Sequence, residues 1–222
     1  MCRSTMPAGI RLDSMPTDKF KIAVLISGGG TTLKNLIDLR SRDELDCDIE
    51  LVVSSSPTAG GLEFAQSNDI VSRVVVRKDF ENTVSFSKAI FDQCRALEID
   101  LVVMGGFLKR VQIPDDFVNR VINIHPSLIP SFCGKGNYGI NVHTNVIAYG
   151  AKISGCTVHF VDDQYDHGPI IAQVTVEVLD SDDPKTLAAR VFEAECKIYP
   201  EIINAIANNR VSIEDRLVTV KK

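Results

Sequence analysis

Apolar residues in the first half of this chain come in short continuous runs, each closed by Gly, Ser, Asp or Asn, with amphipathic stretches between them. Strands that are apolar on consecutive positions, not alternate ones, are buried on both faces, as in a parallel sheet covered by helices. The pattern predicts strands at 21–27, 49–54, 72–76, 101–105 and 121–125, and helices at 32–40, 61–68 and 84–97. Beyond residue 140 the order changes to a helix at 141–149, strands at 155–161 and 170–178, and a long helix at 184–208. The last two strands are separated only by 162–169, too short a link for a parallel crossover, so they extend the sheet antiparallel.

The expected fold is α/β: a single-domain, Rossmann-like open sheet with a parallel N-terminal half, an antiparallel C-terminal extension and helices on both faces. A chain of 222 residues, 45% of them hydrophobic, can bury one sizeable core, so 20–222 is read as one catalytic domain. Residues 1–19 mix Arg, Asp, Ser, Pro and Gly without apolar periodicity and are read as a flexible tail, lacking the apolar stretch of a secretory signal. A net charge of -5 without any basic cluster weighs against nucleic acid as a partner, and no apolar run approaches membrane-spanning length. The six cysteines are scattered with no C-x-x-C pair, which fits reduced thiols in a cytoplasmic protein. Monomer and homodimer both remain open.

Candidate chemistry gathers at the strand ends. The first strand runs into Ser27-Gly28-Gly29-Gly30-Thr31-Thr32-Leu33 and then a helix, where backbone amides and a helix N-terminus can cradle an anion. Leu33 stands where a dinucleotide fingerprint wants a third glycine, and no Gly-Lys-Ser or Gly-Lys-Thr is present, so the loop suits a simple phosphate. The same glycines can also serve only a tight turn. The fourth strand ends in Gly105-Gly106-Phe107-Leu108-Lys109, and ligands of open α/β sheets bind beyond the carboxyl ends of the strands. All four histidines fall between His125 and His167, together with Asn123, Asp162, Asp163 and Asp166, so an amide, an imidazole and a carboxylate can meet around one reacting atom. No H-x-x-x-H, H-x-E or C-x-x-C spacing pins two metal ligands on one element, and no metal is expected. His143 and His167 are read as surface or capping residues.

The run from Asn123 to Pro130 (NIHPSLIP), and Val158-His159-Phe160-Val161 leading into Asp166-His167-Gly168-Pro169, resemble the folate-dependent formyltransferase family. The phosphate loop and the Gly-Gly-Phe segment precede them in that family's order, and the likeness spans 21 to about 209. The resemblance implies transfer of a formyl group from 10-formyltetrahydrofolate, as co-substrate and without a metal, to the amine of 5'-phosphoribosylglycinamide in de novo purine biosynthesis. It implies Asn123, His125 and Asp166 as catalytic residues, acting on a tetrahedral oxyanion. It assigns Gly30, Thr31, Thr32, Gly106 and Glu195 to the ribonucleotide, and Leu108, Lys109, Val161, Asp162 and Asp163, with Asn123 and Asp166, to the folate. His159 is a supporting residue on the adjoining strand. Thr32, Lys109 and Phe192 depart from residues common in the family. Relatives that formylate a charged tRNA or hydrolyse the folate carry a further domain, and this chain's length sets the expectation against both. A non-catalytic nucleotide-binding module would use the phosphate loop but leave Asn123, His125 and Asp166 idle.

Overall fold

The structure, a computed structural model, describes residues 19–221. The tail expected at 1–19 therefore lies, apart from Lys19, outside the described residues. The parallel strands are β1 (Phe20–Ile26), β2 (Cys47–Ser54), β3 (Val71–Val74), β4 (Leu101–Met104) and β5 (Val121–His125), with helices α1 (Thr31–Arg40), α2 (Gly61–Ser67) and α3 (Thr83–Ala96) between them. Then follow α4 (Ile140–Tyr149), β6 (Ile153–Phe160), β7 (Ile170–Glu177), α5 (Pro184–Ala207) and a hairpin of β8 (Val211–Glu214) and β9 (Leu217–Val220). The main sheet runs β3-β2-β1-β4-β5-β6-β7, parallel as far as β5 and antiparallel for β6 and β7.

Strand alternation divides the interior in two. Ile22, Val24 and Ile26 of β1 face a core shared with α1, α2, α4 and α5, while Ala23 and Leu25 face Phe86, Ile90, Phe91 and Cys94 of α3. Helices thus cover both faces, but unequally. The inequality follows from handedness: β1, β2 and β3 step outward in one direction, and the chain must cross back on the other face to lay β4 beside β1. That reversal opens a crevice between the carboxyl ends of β1 and β4, the usual ligand position in such sheets.

The β8–β9 hairpin was not expected from the sequence. Its alternate residues Val211, Ile213, Val218 and Val220 pack against the larger core. At its tip, Arg216 Nη2 donates to the carbonyl of His167 at 2.7 Å.

Candidate active site

The rim is built first from backbone. After β1, Gly30 takes a left-handed φ of 73° and caps α1 without any side-chain hydrogen bond. A Cβ there would lie 2.5 Å from the Gly61 Cα, so the loop seats directly on α2 only because residue 30 is glycine. The first-turn amides of α1 are thus left without a side-chain cap. Ser27 Oγ accepts from the Leu108 amide at 2.9 Å and lies 2.7 Å from Ser55 Oγ, joining this loop to the segment that follows β4. On the far wall, Asn35 of α1 donates to the Cys196 carbonyl of α5 at 3.0 Å, fixing the cradle relative to Glu195. Tyr199 shares its buried O–H between the carbonyls of Met104 and Ile122, locking α5 against β4 and β5.

The side-chain cluster lies at β5 and β6. Antiparallel pairing sets Asn123 opposite His159. His159 Nδ1 donates to the Phe160 carbonyl at 2.7 Å, and burial above all pushes its pKa down, so its neutral ring presents a bare Nε2. Asn123 Nδ2 donates one proton to that nitrogen at 3.2 Å, which fixes the amide's orientation and leaves its second N–H free. His125, almost fully buried, donates from Nε2 to the Phe132 carbonyl at 3.0 Å and turns Nδ1 toward Asp166 Oδ2 at 3.5 Å. The same carboxylate accepts from the Gly134 amide at 2.8 Å and stands 3.9 Å from His159 Nε2. Asp166 reaches all three through a left-handed backbone, φ 51°.

The Asp166 loop is held from several sides. Gly168 closes it against β6 so tightly that a Cβ would sit 1.9 Å from the Phe160 carbonyl oxygen. Asp162 bonds the Gln164 amide and pairs with His167 Nδ1 at 2.6 Å. Asp163 accepts from the Ile113 amide, and its backbone carbonyl accepts a hydrogen bond from Arg110 Nη2. Thr157 bonds Ser127 and Ile129, and Gln173 bonds Ile129, pinning the segment after His125 to β6 and β7.

A cavity of about 520 Å³ opens at this rim, lined by Thr31, Gly106, Leu108, Asn123, His125, Asp166 and Glu195 among others. A smaller one of about 80 Å³ adjoins it, lined by Lys109, Val161, Asp162 and His159, and both share Asn123 and Asp166. Gly30 and Thr32 support the rim without lining either cavity, and Asp163 is engaged in loop structure rather than facing the space. Glu195, partly exposed on the large cavity's wall, has its carboxyl pushed up to about 7 by lost hydration. Among the described residues no group of three or more His, Cys, Asp or Glu is arranged to hold a metal ion.

One expectation needs correction. His143 is neither surface nor cap: it is 3% exposed, on the cavity wall. The glycine-rich stretch from Gly134 to Gly139, Tyr138 included, also lines the cavity, as does Tyr165. The signal for His143 was its place next to Val142 and one turn before Val146, on the buried side of α4. His167 is exposed, and its ring binds Asp162.

A family model described as formyl transferase matches residues 20–203. The chain belongs to the formyl transferase family. Among curated relatives in that family, it is 39% identical to the chloroplastic phosphoribosylglycinamide formyltransferase of Arabidopsis thaliana over 86% of this chain. The match spans 66% of that plant protein's length. It is 35% identical to the phosphoribosylglycinamide formyltransferase of Haemophilus influenzae, over 89% of this chain and 92% of the relative. In three dimensions it superposes on glycinamide ribonucleotide transformylase 1 from Symbiobacterium toebii with a TM-score of 0.86 and 34% identity, covering 93% of this chain and 96% of the other.

Proposed function

We propose that this protein is a phosphoribosylglycinamide formyltransferase, moving the formyl group of 10-formyltetrahydrofolate to the amine of 5'-phosphoribosylglycinamide in purine biosynthesis. The observation that carries the reading is the position of Asn123 and Asp166 at the junction of the two cavities. A group-transfer enzyme needs its reacting atoms where two ligands abut. In this reading the ribonucleotide phosphate rests on the amides after Gly30, beside Thr31 and Thr32, and its glycinamide end points past Gly106 and Glu195. The folate enters along Leu108, Lys109, Val161 and Asp162, with Asp163 holding the loop behind it.

The amine attacks the formyl carbon, a carbon–nitrogen bond forms, and the carbonyl oxygen becomes an oxyanion. Asn123 donates its free amide N–H to that oxygen. Collapse of the intermediate breaks the bond to the folate nitrogen, and one proton passes from the attacking amine to that nitrogen. Asp166 relays it, and the His125 imidazole beside it spreads the charge. His159 acts by orienting Asn123. No step calls for a metal, because the formyl group arrives already activated on the folate. The partners are thus small molecules, and none of the described helices is long and apolar enough to cross a membrane. The five cysteines among the described residues are all free, which supports a reducing compartment such as the cytoplasm.

The test is formyl transfer from 10-formyltetrahydrofolate to the ribonucleotide by the purified protein, beside a reaction lacking the acceptor. Formylated ribonucleotide should accumulate only with both substrates present. Equal folate turnover without acceptor would make the protein a hydrolase and overturn the reading.

A further inference from the structure

The carboxyl rim of the sheet carries a further cavity that the steps above do not use. It measures about 390 Å³ and lies between the segments that follow β2 and β3 and the segment that follows β4. Arg77, Lys78 and Lys109 all line it, and no acidic residue does. None of the three pairs with a carboxylate of the described residues, whereas Lys34, Lys88 and Lys152 on the outer surface each hold an aspartate. In a chain whose net charge is -5, three cations sharing one concave wall without an acid make a local positive field that an anion would neutralise.

Arg77 is held in place: its Nη1 donates to the Phe80 carbonyl at 2.9 Å, and its guanidinium carbon lies 5.9 Å from the centre of the Phe86 ring. That leaves most of its five N–H groups to offer. The cavity is also continuous with the other two. Leu108 lines both it and the large cavity, and Lys109 lines both it and the small one. The formyl-bearing nitrogen of the folate has the pterin on one side and the aminobenzoyl-glutamyl end on the other. With that nitrogen beside Asn123 and Asp166, the neutral pterin suits the small cavity. The glutamyl carboxylates, costly to bury unpaired, leave across Leu108 toward the cations. Folates carry further glutamates joined through the γ-carboxyl, and each adds one negative charge.

We propose that this cavity binds the γ-linked glutamyl chain of the folate, Lys109 meeting the first glutamate and Arg77 and Lys78 the ones beyond, so that the poly-γ-glutamyl form is the preferred co-substrate. The proposal rests on the formyl-transfer reading above. Charges this far from the reacting carbon hold ground state and transition state alike, so the preference belongs to KM and not to kcat.

The test compares 10-formyltetrahydrofolate carrying one glutamate with the form carrying three, as co-substrates of the purified protein. Exposed ion pairs are individually weak, and two or three together should lower KM for the triglutamate by about 10-fold, with kcat unchanged. Lys78→Glu should cut that ratio to about 2-fold or less while changing KM for the monoglutamate by no more than about 2-fold. Lys78→Arg should keep the ratio. On the unmodified protein, raising the salt from about 0.05 M to about 0.5 M should shrink the ratio as well, which does not depend on any variant folding. Equal KM for the two forms, a ratio that survives Lys78→Glu, or a ratio indifferent to salt would each overturn the proposal while leaving formyl transfer standing. No transfer with either form would remove the functional reading, and this proposal with it.

Discussion

On the parallel side of the crevice the chain offers its ligands mostly backbone, while on the antiparallel side it offers side chains. Gly28, Gly29 and Gly106 leave open space where a side chain would stand, and α1 follows a glycine with no side-chain cap. Away from the rim, α3 and α5 begin with full capping boxes, from Asn82 and Asp183. Across the crevice, β5, β6, α4 and the Asp166 loop bring in three histidines, Asn123 and a carboxylate, each held by a named partner or sealed by burial. Under the proposed function the difference amounts to a division of labour. A phosphate carries fixed charge and is met by fixed dipoles, whereas a transient oxyanion and a moving proton need groups whose hydrogen bonds can be redistributed.

The largest effects should come from the side-chain half. Asn123→Ala, His125→Ala and Asp166→Asn should each lower kcat by about 100- to 1,000-fold while the proteins stay folded, by steady-state kinetics and thermal melts. The double variant His125→Ala with Asp166→Asn should lose much less than the product of the single losses, because imidazole and carboxylate stand 3.5 Å apart in one cluster. Near-normal turnover in His125→Ala would break the comparison.

The backbone half should respond in KM and in stability instead. A Cβ on Gly29 meets nothing within 4 Å, so Gly29→Val should raise KM for the ribonucleotide and leave the melting temperature alone. Gly30→Val combines a left-handed φ with the contact against Gly61, and should cost about 3 kcal/mol or more in a denaturant titration. If both variants weaken only the folate, the cradle has been assigned to the wrong ligand.

Glu195 sharpens the comparison by pH. Its folded pKa, about 7, lies above the ordinary value of 4.5, so the native state holds its proton more tightly than the unfolded chain. The resulting stability is fully present below pH 4.5 and is lost as pH rises to about 7. The size is on the order of 3 kcal/mol. Glu195→Gln cannot ionise, so it should match the wild type near pH 4.5 and exceed it in stability at pH 8, by denaturant titration at the two pH values. Parallel pH curves would show that the carboxyl is better hydrated than its position implies.

The smallest expected effect belongs to Arg216→Ala, which removes one exposed hydrogen bond to the Asp166 loop. Stability should change by less than about 1 kcal/mol, with a modest fall in kcat/KM. A drop comparable to that of Asp166→Asn would make the hairpin part of the chemistry.

The inner strands β1, β4 and β5 are legible in the sequence because each is a run of apolar residues buried on both faces, and β1 and β5 fall within one residue of expectation, whereas the edge strands β3 and β7 are partly exposed. The hairpin escapes because its four-residue strands alternate partly buried and exposed positions between charged residues, too short a pattern to stand out. The motif runs draw attention to Asn123, His125 and Asp166. What joins them does not show in any local pattern: Gly134 to Asp166 spans 32 residues and Arg110 to Asp163 spans 53. For His143, proximity to a helix start suggests solvent, while packing of α4 against α5 turns that side of the helix inward.

The contact between Arg216 and His167 also has a meaning in time. The two residues are 49 positions apart in the chain. At synthesis rates of roughly 5–20 residues per second, the ribosome makes the Asp166 loop several seconds before the arginine that braces it. All seven strands of the main sheet precede that arginine as well. A nascent chain can therefore assemble its sheet while this loop still lacks one of its ties, and the finished loop geometry belongs to a later moment than the fold that carries it.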